Sequence, residues 1–139
     1  MGKMMGVMSL VRILIAVFLC FCVSLPALAD NVCTNSHFDG ELYQCTVQKK
    51  KLAEENLNQE YAIAKKRIVQ MYGAAQQQAN EYISNVVETQ RSWLKYRNGQ
   101  CDLEASAAEK GSSVHEVASN LCIIRMDKER TSMLKQLPY

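Results

Sequence analysis

Residues 101–122 read CDLEASAAEKGSSVHEVASNLC, with a cysteine at each end and a glycine near the middle. Lys110-Gly111-Ser112-Ser113 carries the chemistry of a helix–helix turn. Gly111 suits the C-terminal cap of one helix, and Ser113 with Glu116 three residues later is the capping-box pattern that starts the next. Cys101 stands ten residues before Gly111 and Cys122 ten after Ser112. In an antiparallel hairpin centred on that turn the two cysteines reach the same height, so a Cys101–Cys122 disulfide is expected.

Outward from the turn, apolar residues keep a helical period in both directions. The spacing predicts a helix over about 75–109 with Tyr82, Val86, Trp93 and Ile83, Val87, Leu94 marking its apolar sides, and a helix after the turn with Val117, Leu121, Ile124, Thr131 and Leu134 as its face. Gly73 interrupts the pattern. Before it, Leu42, Cys45, Leu52, Leu57, Tyr61, Ala64, Ile68 and Met71 recur at mostly helical steps over Asp39 to Met71. No proline lies between Pro26 and Pro138, so nothing in the body forbids long helices, and Pro138 stops the last one. No stretch alternates as a strand does, and no repeat is visible. The expected fold is all-α, a small disulfide-stapled bundle of three helices, or four if a segment is split further.

The first 29 residues stand apart from this pattern. Lys3 and Arg12 precede the apolar run from Ile13 to Leu25, and Ala27-Leu28-Ala29 precedes Asp30, the order of a cleavable secretory signal. The run is 13 residues long, short of the roughly 20 that span a bilayer, which argues against a membrane anchor. Large residues precede Cys20 and Cys22, which argues against lipidation there. The expected organisation is a signal at 1–29 and one helical domain at 30–139. The whole chain has 16 Lys and Arg against 14 Asp and Glu; Lys3 and Arg12 fall in the signal, leaving 14 of each sign. A neutral domain has no global field to draw it to nucleic acid or an anionic membrane.

Four cysteines remain beyond the signal: Cys33, Cys45, Cys101 and Cys122. An even number in a short exported chain reads as a disulfide framework and places the protein in the periplasm or outside the cell. With Cys101 and Cys122 joined, Cys33 pairs with Cys45. Cys33-x3-His37 with Cys45 is the alternative, a metal site, but its spacing is not that of paired zinc ligands. No metal or other cofactor is expected.

Gln90, Trp93, Arg97 and Cys101 follow steps of three, four and four, which puts them on one stripe. Cys101 faces the hairpin partner, so the stripe points inward. Trp93 fills core volume, while Gln90 and Arg97 bring polar ends that need partners. Asp127 and Glu129 are the candidate partners of Arg97. Arg91 and Lys95 lie on another face. Lys49-Lys50-Lys51 reads as solvated surface charge, and Lys65-Lys66-Arg67 as charge balanced within its helix by Glu54, Glu55 and Glu60. No GxSxG, HExxH or phosphate-binding glycine loop is present, and disulfide-bonded cysteines offer no thiolate, so the chain does not read as an enzyme.

CTNSHFDGELYQC, LAEENLNQEY, QRSWLKYRNGQC and NLCIIRMDKERTSMLKQL occur in this order and resemble the lysozyme inhibitor LprI-like family. Gln90, Arg91, Trp93, Tyr96, Arg97 and Cys101 carry the most specific part of the resemblance, and Cys122 followed by Glu129-Arg130-Thr131 adds to it. The resemblance implies a small secreted helical domain with internal disulfides. It also implies a protein partner, a lysozyme or another peptidoglycan hydrolase, bound without turnover. An immunity protein against a cell-wall toxin, or an envelope adaptor that inhibits nothing, is the alternative. Asn98-Gly99-Gln100 departs from the acidic residue that members often carry before the central cysteine.

Overall fold

The computed structural model describes Cys33 and residues 39–139. The expected signal segment, its boundary at Asp30, and His37 lie outside the described residues. Three helices make up the domain: α1, Asp39–Tyr72; α2, Gln76–Ala105; and α3, Ser113–Lys135. No strand occurs among the described residues. At 34 residues α1 is about 50 Å long.

Gly73 ends α1 as its position suggests. It takes φ +50°, its N–H bonds to the Val69 carbonyl at 3.2 Å, and Ala75 N–H bonds to the Tyr72 carbonyl at 2.9 Å. A side chain at that φ would be strained, so glycine lets the chain turn without penalty.

The second turn differs from expectation. α2 stops at Ala105, four residues before Glu109, because Ser106 folds back: its N–H and its hydroxyl both donate to the Leu103 carbonyl, at 3.2 and 2.7 Å. Gly111 does take a left-handed φ of +85°, but within the connecting loop rather than as the cap of α2. The N-cap of α3 is Ser112, whose side chain accepts from the His115 N–H at 3.2 Å. The Ser113–Glu116 box is therefore displaced by one residue. Ser113 is already helical, and the Glu116 carboxylate lies 3.7 Å from His115 Nδ1.

Both disulfides form as paired in the sequence. The Cα–Cα distances are 5.4 Å for Cys101–Cys122 and 5.9 Å for Cys33–Cys45. The hairpin is not centred between Gly111 and Ser112, because α2 ends at Ala105 and α3 begins at Ser113. Cys101 sits about 6 Å from the end of α2, whereas Cys122 is about 13 Å into α3. The intervening loop absorbs the offset.

α3 is the shared partner, packing most extensively on α1 and then on α2, while α1 and α2 touch least. Its buried residues, among them Asn120, Cys122, Ile124, Met126, Asp127 and Leu134, consequently wrap more than one side of the helix. The buried positions of α1 instead form one stripe, Thr46, Ala53, Leu57, Glu60, Ala64 and Ile68, and those of α2 another. Ala53, Ala64, Ala79 and Ala105 are small enough for backbones to approach closely. Three residues expected in the faces lie outside them: Leu52 is 51% exposed, Met71 67% and Leu121 36%. At that turn of α1 the interface takes Ala53 rather than Leu52, while Leu57, Ala64 and Ile68 are buried as expected.

Arg67 is not the surface charge its neighbours suggested. From α1 its Nε donates to the Leu137 carbonyl at 3.0 Å and its Nη2 to the Leu134 carbonyl at 2.6 Å, while Nη1 holds Glu60 at 2.8 Å. One guanidinium thereby binds two carbonyls at and just beyond the end of α3, adding to the Leu137 N–H bond that the Leu134 carbonyl already accepts at 3.2 Å. Arg67→Ala is expected to destabilise by about 1–3 kcal/mol and to speed amide exchange selectively in the last turn of α3. Unchanged protection there would show that water replaces the guanidinium.

Candidate functional site

The stripe on α2 converges with α3 on a polar knot beside the disulfide. Cys101, Cys122 and Met126 form a small buried cluster, with Met126 sulfur 3.7 and 3.8 Å from the two cysteine sulfurs. Trp93 and Ile123 pack against it, partly buried. Trp93 is thus at the edge of the core rather than inside it. The Cζ atoms of Arg97 and Arg130 both lie over its ring, 5.7 Å from the centroid, so the indole meets two cations as well as apolar neighbours.

Arg97 selects Asp127, not Glu129. Its Nη1 donates to Asp127 Oδ1 at 2.7 Å, and Asp127 is fully buried. The Nε and Nη2 atoms donate to Asn98 Oδ1 at 3.1 and 2.9 Å, and Nη2 also lies 3.7 Å from Glu54 on α1. One arginine therefore ties α2 to both other helices. Glu129 turns instead toward Arg125, 3.7 Å away on the same helix. Gln90, also buried, accepts from Arg130 Nε at 2.9 Å, making a second α2–α3 link. Burial lowers the Arg130 pKa, partly offset by Tyr139.

Burial pushes the Asp127 carboxyl above its usual 3.8, while the hydrogen bond and charge of Arg97 pull it back only in part. The folded protein thus holds this proton more tightly than the unfolded chain does. The stabilisation from protonating Asp127 is complete below pH 3.8 and disappears as pH rises through the folded-state pKa. Urea titrations across that window should show wild type gaining stability relative to Asp127→Asn as pH falls. A wild-type curve parallel to that of the variant would contradict it.

At the open end of the same interface, Arg125 Nη2 donates to both oxygens of Glu104, at 2.7 and 3.0 Å, and Gln100 donates to Glu104 Oε1 at 3.0 Å. Hydrogen bonds from Gln100 and Arg125 hold the Glu104 carboxyl below its usual range. Gln100, within the segment that departs from the family pattern, thereby gains a carboxylate neighbour one turn on.

The fold divides the motif residues. Gln90, Trp93, Arg97 and Arg130 join α2 to α3. Arg91 and Tyr96 face outward, with Tyr96 61% exposed beside Gly99 and an equally exposed Leu103. The charges of Arg97 and Arg130 serve internal contacts, and no group of three His, Cys, Asp or Glu among the described residues could hold a metal ion. What the surface offers is shape. A groove of about 620 Å³ runs between α1 and α3, and a smaller hollow of about 280 Å³ lies between α2 and the C-terminal end of α3.

Three of these features were missed in the sequence. Glu60 and Arg67 are seven residues apart, outside the local pair spacing of a helix. Glu54 looked like any solvated carboxylate. The α1/α3 groove depends on which residues the interface leaves out, which helical period alone does not reveal.

Residues 30–134 match the family model described as lysozyme inhibitor LprI. An uncharacterized protein of Rhizobium meliloti (strain 1021) is 26% identical over 132 residues, covering 88% of this chain and 91% of its own. The fold is similar to the crystal structure of a DUF1311 family protein from Pseudomonas putida KT2440, with a TM-score of 0.64 and 24% identity over 72% of this chain and 93% of that one. At that identity the likeness concerns the fold alone. Since the family model spans most of the sequence and the cysteine-clamped helices carry its motif residues, the chain belongs to the lysozyme inhibitor LprI family.

Proposed function

We propose that the chain is a periplasmic or secreted protein that binds a lysozyme or another peptidoglycan-cleaving enzyme and blocks it without chemical turnover. In this reading residues 1–29 are removed on export and the working form begins at Asp30. The observation that carries the proposal is the family match across residues 30–134. Two disulfides support export, since such bonds persist in oxidising compartments. No described helix is long and apolar enough to cross a membrane.

Clearing of a peptidoglycan suspension by a panel of muramidases tests it. Increasing amounts of the oxidised protein should slow clearing by at least one of them, with the inhibitor recovered intact. No slowing across the panel rejects inhibition. One observation favours a second reading, an immunity protein or an envelope adaptor. The charges beyond residue 29 balance at 14 of each sign, whereas electrostatic steering toward a cationic lysozyme calls for an acidic inhibitor.

A further inference from the structure

The groove between α1 and α3 is built from these two helices alone. Its apolar part is a strip: Ala53 and Ile124 are buried there, Leu52 is 51% exposed and Ile63 37%, with Asn56, Gln59, Thr131 and Ser132 between and beside them. Lys49, Lys128 and Lys135 also line it. Glu60 is the one carboxylate among the described residues lining the groove, and Arg67 holds it at 2.8 Å. The groove therefore combines an apolar strip with polar and lysine side chains, within a chain whose overall charge is close to zero.

We propose that this groove receives an acidic amphipathic helix of a partner protein. The apolar stripe of that helix would cover Leu52 and Ile63, and carboxylates beside the stripe would meet Lys49 and Lys135. The dimensions fit. From Lys49 to Ile63 the α1 wall is about 21 Å long, some four helical turns, and two packed helices present ridges and grooves into which a third can settle. An extended peptide fits less well. The groove walls are helices with internally bonded backbones, so they offer no sheet edge to satisfy the backbone of an incoming strand. A second copy of this chain fits poorly too, because a symmetric contact would bring Lys49 and Lys135 against their own equivalents. The inference is independent of whether the partner cleaves peptidoglycan.

The probe is a synthetic peptide of about 16 residues with leucines at helical spacing and glutamates flanking them. Its controls are the same peptide with lysines for glutamates and one with the leucines scrambled. The oxidised protein, isotopically labelled, is titrated with each and amide shifts are followed by NMR. The acidic peptide should shift groove amides of α1 and α3, and its Kd should weaken about tenfold on double charge reversal, Lys49→Glu and Lys135→Glu. The same variant should now bind the lysine peptide. Leu52→Asp, at an exposed position, should weaken binding while leaving the circular dichroism unchanged. The proposal fails if the acidic peptide does not bind, if its shifts map to another face, or if the lysine or scrambled peptide binds wild type as well. Concentration-dependent dimerisation that masks the groove would also overturn it, in favour of a second copy.

Discussion

Asp127→Ala is expected to lower the free energy of unfolding by about 3–5 kcal/mol, a large share of what a domain this small possesses. The loss comes less from the missing attraction than from what remains. Arg97 is 8% exposed and its Nη1 points 2.7 Å from Asp127 Oδ1. Without the carboxylate, a desolvated guanidinium keeps Asn98, on its own helix, and the more distant Glu54. Asp127→Asn should do less damage, because an amide oxygen can still accept from Nη1. Replacing Arg97 and Asp127 together with apolar residues of similar size should recover much of the loss, since buried pairs contribute little over good apolar packing. Urea denaturation of the four proteins checks this. Equal losses for Asp127→Ala and the double replacement would mean that the pair itself, and not the stranded charge, sets the stability.

The second large effect is expected at the α2–α3 disulfide. Cys101→Ala with Cys122→Ala opens a loop with a sequence separation of 21 and should destabilise by about 2–5 kcal/mol. Part of this is unfolded-state freedom. Part is local, because both cysteines are buried and Met126 and Trp93 pack on them. The same substitutions at Cys33 and Cys45 should cost less, since their loop is shorter, with a separation of 12, and both residues are only half-buried. Melting temperatures of the two double variants, with and without reductant, rank the bridges. A larger loss at Cys33–Cys45 would place the critical closure at the N-terminal arm instead.

These effects were legible to different degrees. The stripe of Gln90, Trp93, Arg97 and Cys101 could be read because it follows helical spacing, and the bridge because a helix–turn–helix around Gly111 brings Cys101 near Cys122. That Arg97 needed a carboxylate was also evident, and Asp127 was one of two candidates. The choice between Asp127 and Glu129 depends on which side of α3 faces α2. α3 buries residues on more than one side, so its period does not single out a face. The capping box went astray by one residue because both Ser112 and Ser113 are good caps. What decides between them is the left-handed turn at Gly111, which leaves Ser112 extended, with ψ 157°, and its hydroxyl on the third amide.

From the amino-acid order alone came three helices, their breaks near Gly73 and Gly111, the cysteine partners and the family. All of these rest on interactions among near neighbours, or on covalent pairing with few alternatives. Tertiary structure alone decided that Arg67 binds the end of α3, that Asp127 rather than Glu129 holds Arg97, and that a groove lined in part by lysines lies open between α1 and α3. Each of those depends on the rotation of one helix against another. That rotation is set by how small residues such as Ala53 and Ala64 let backbones approach, and it is settled only when all three helices pack at once.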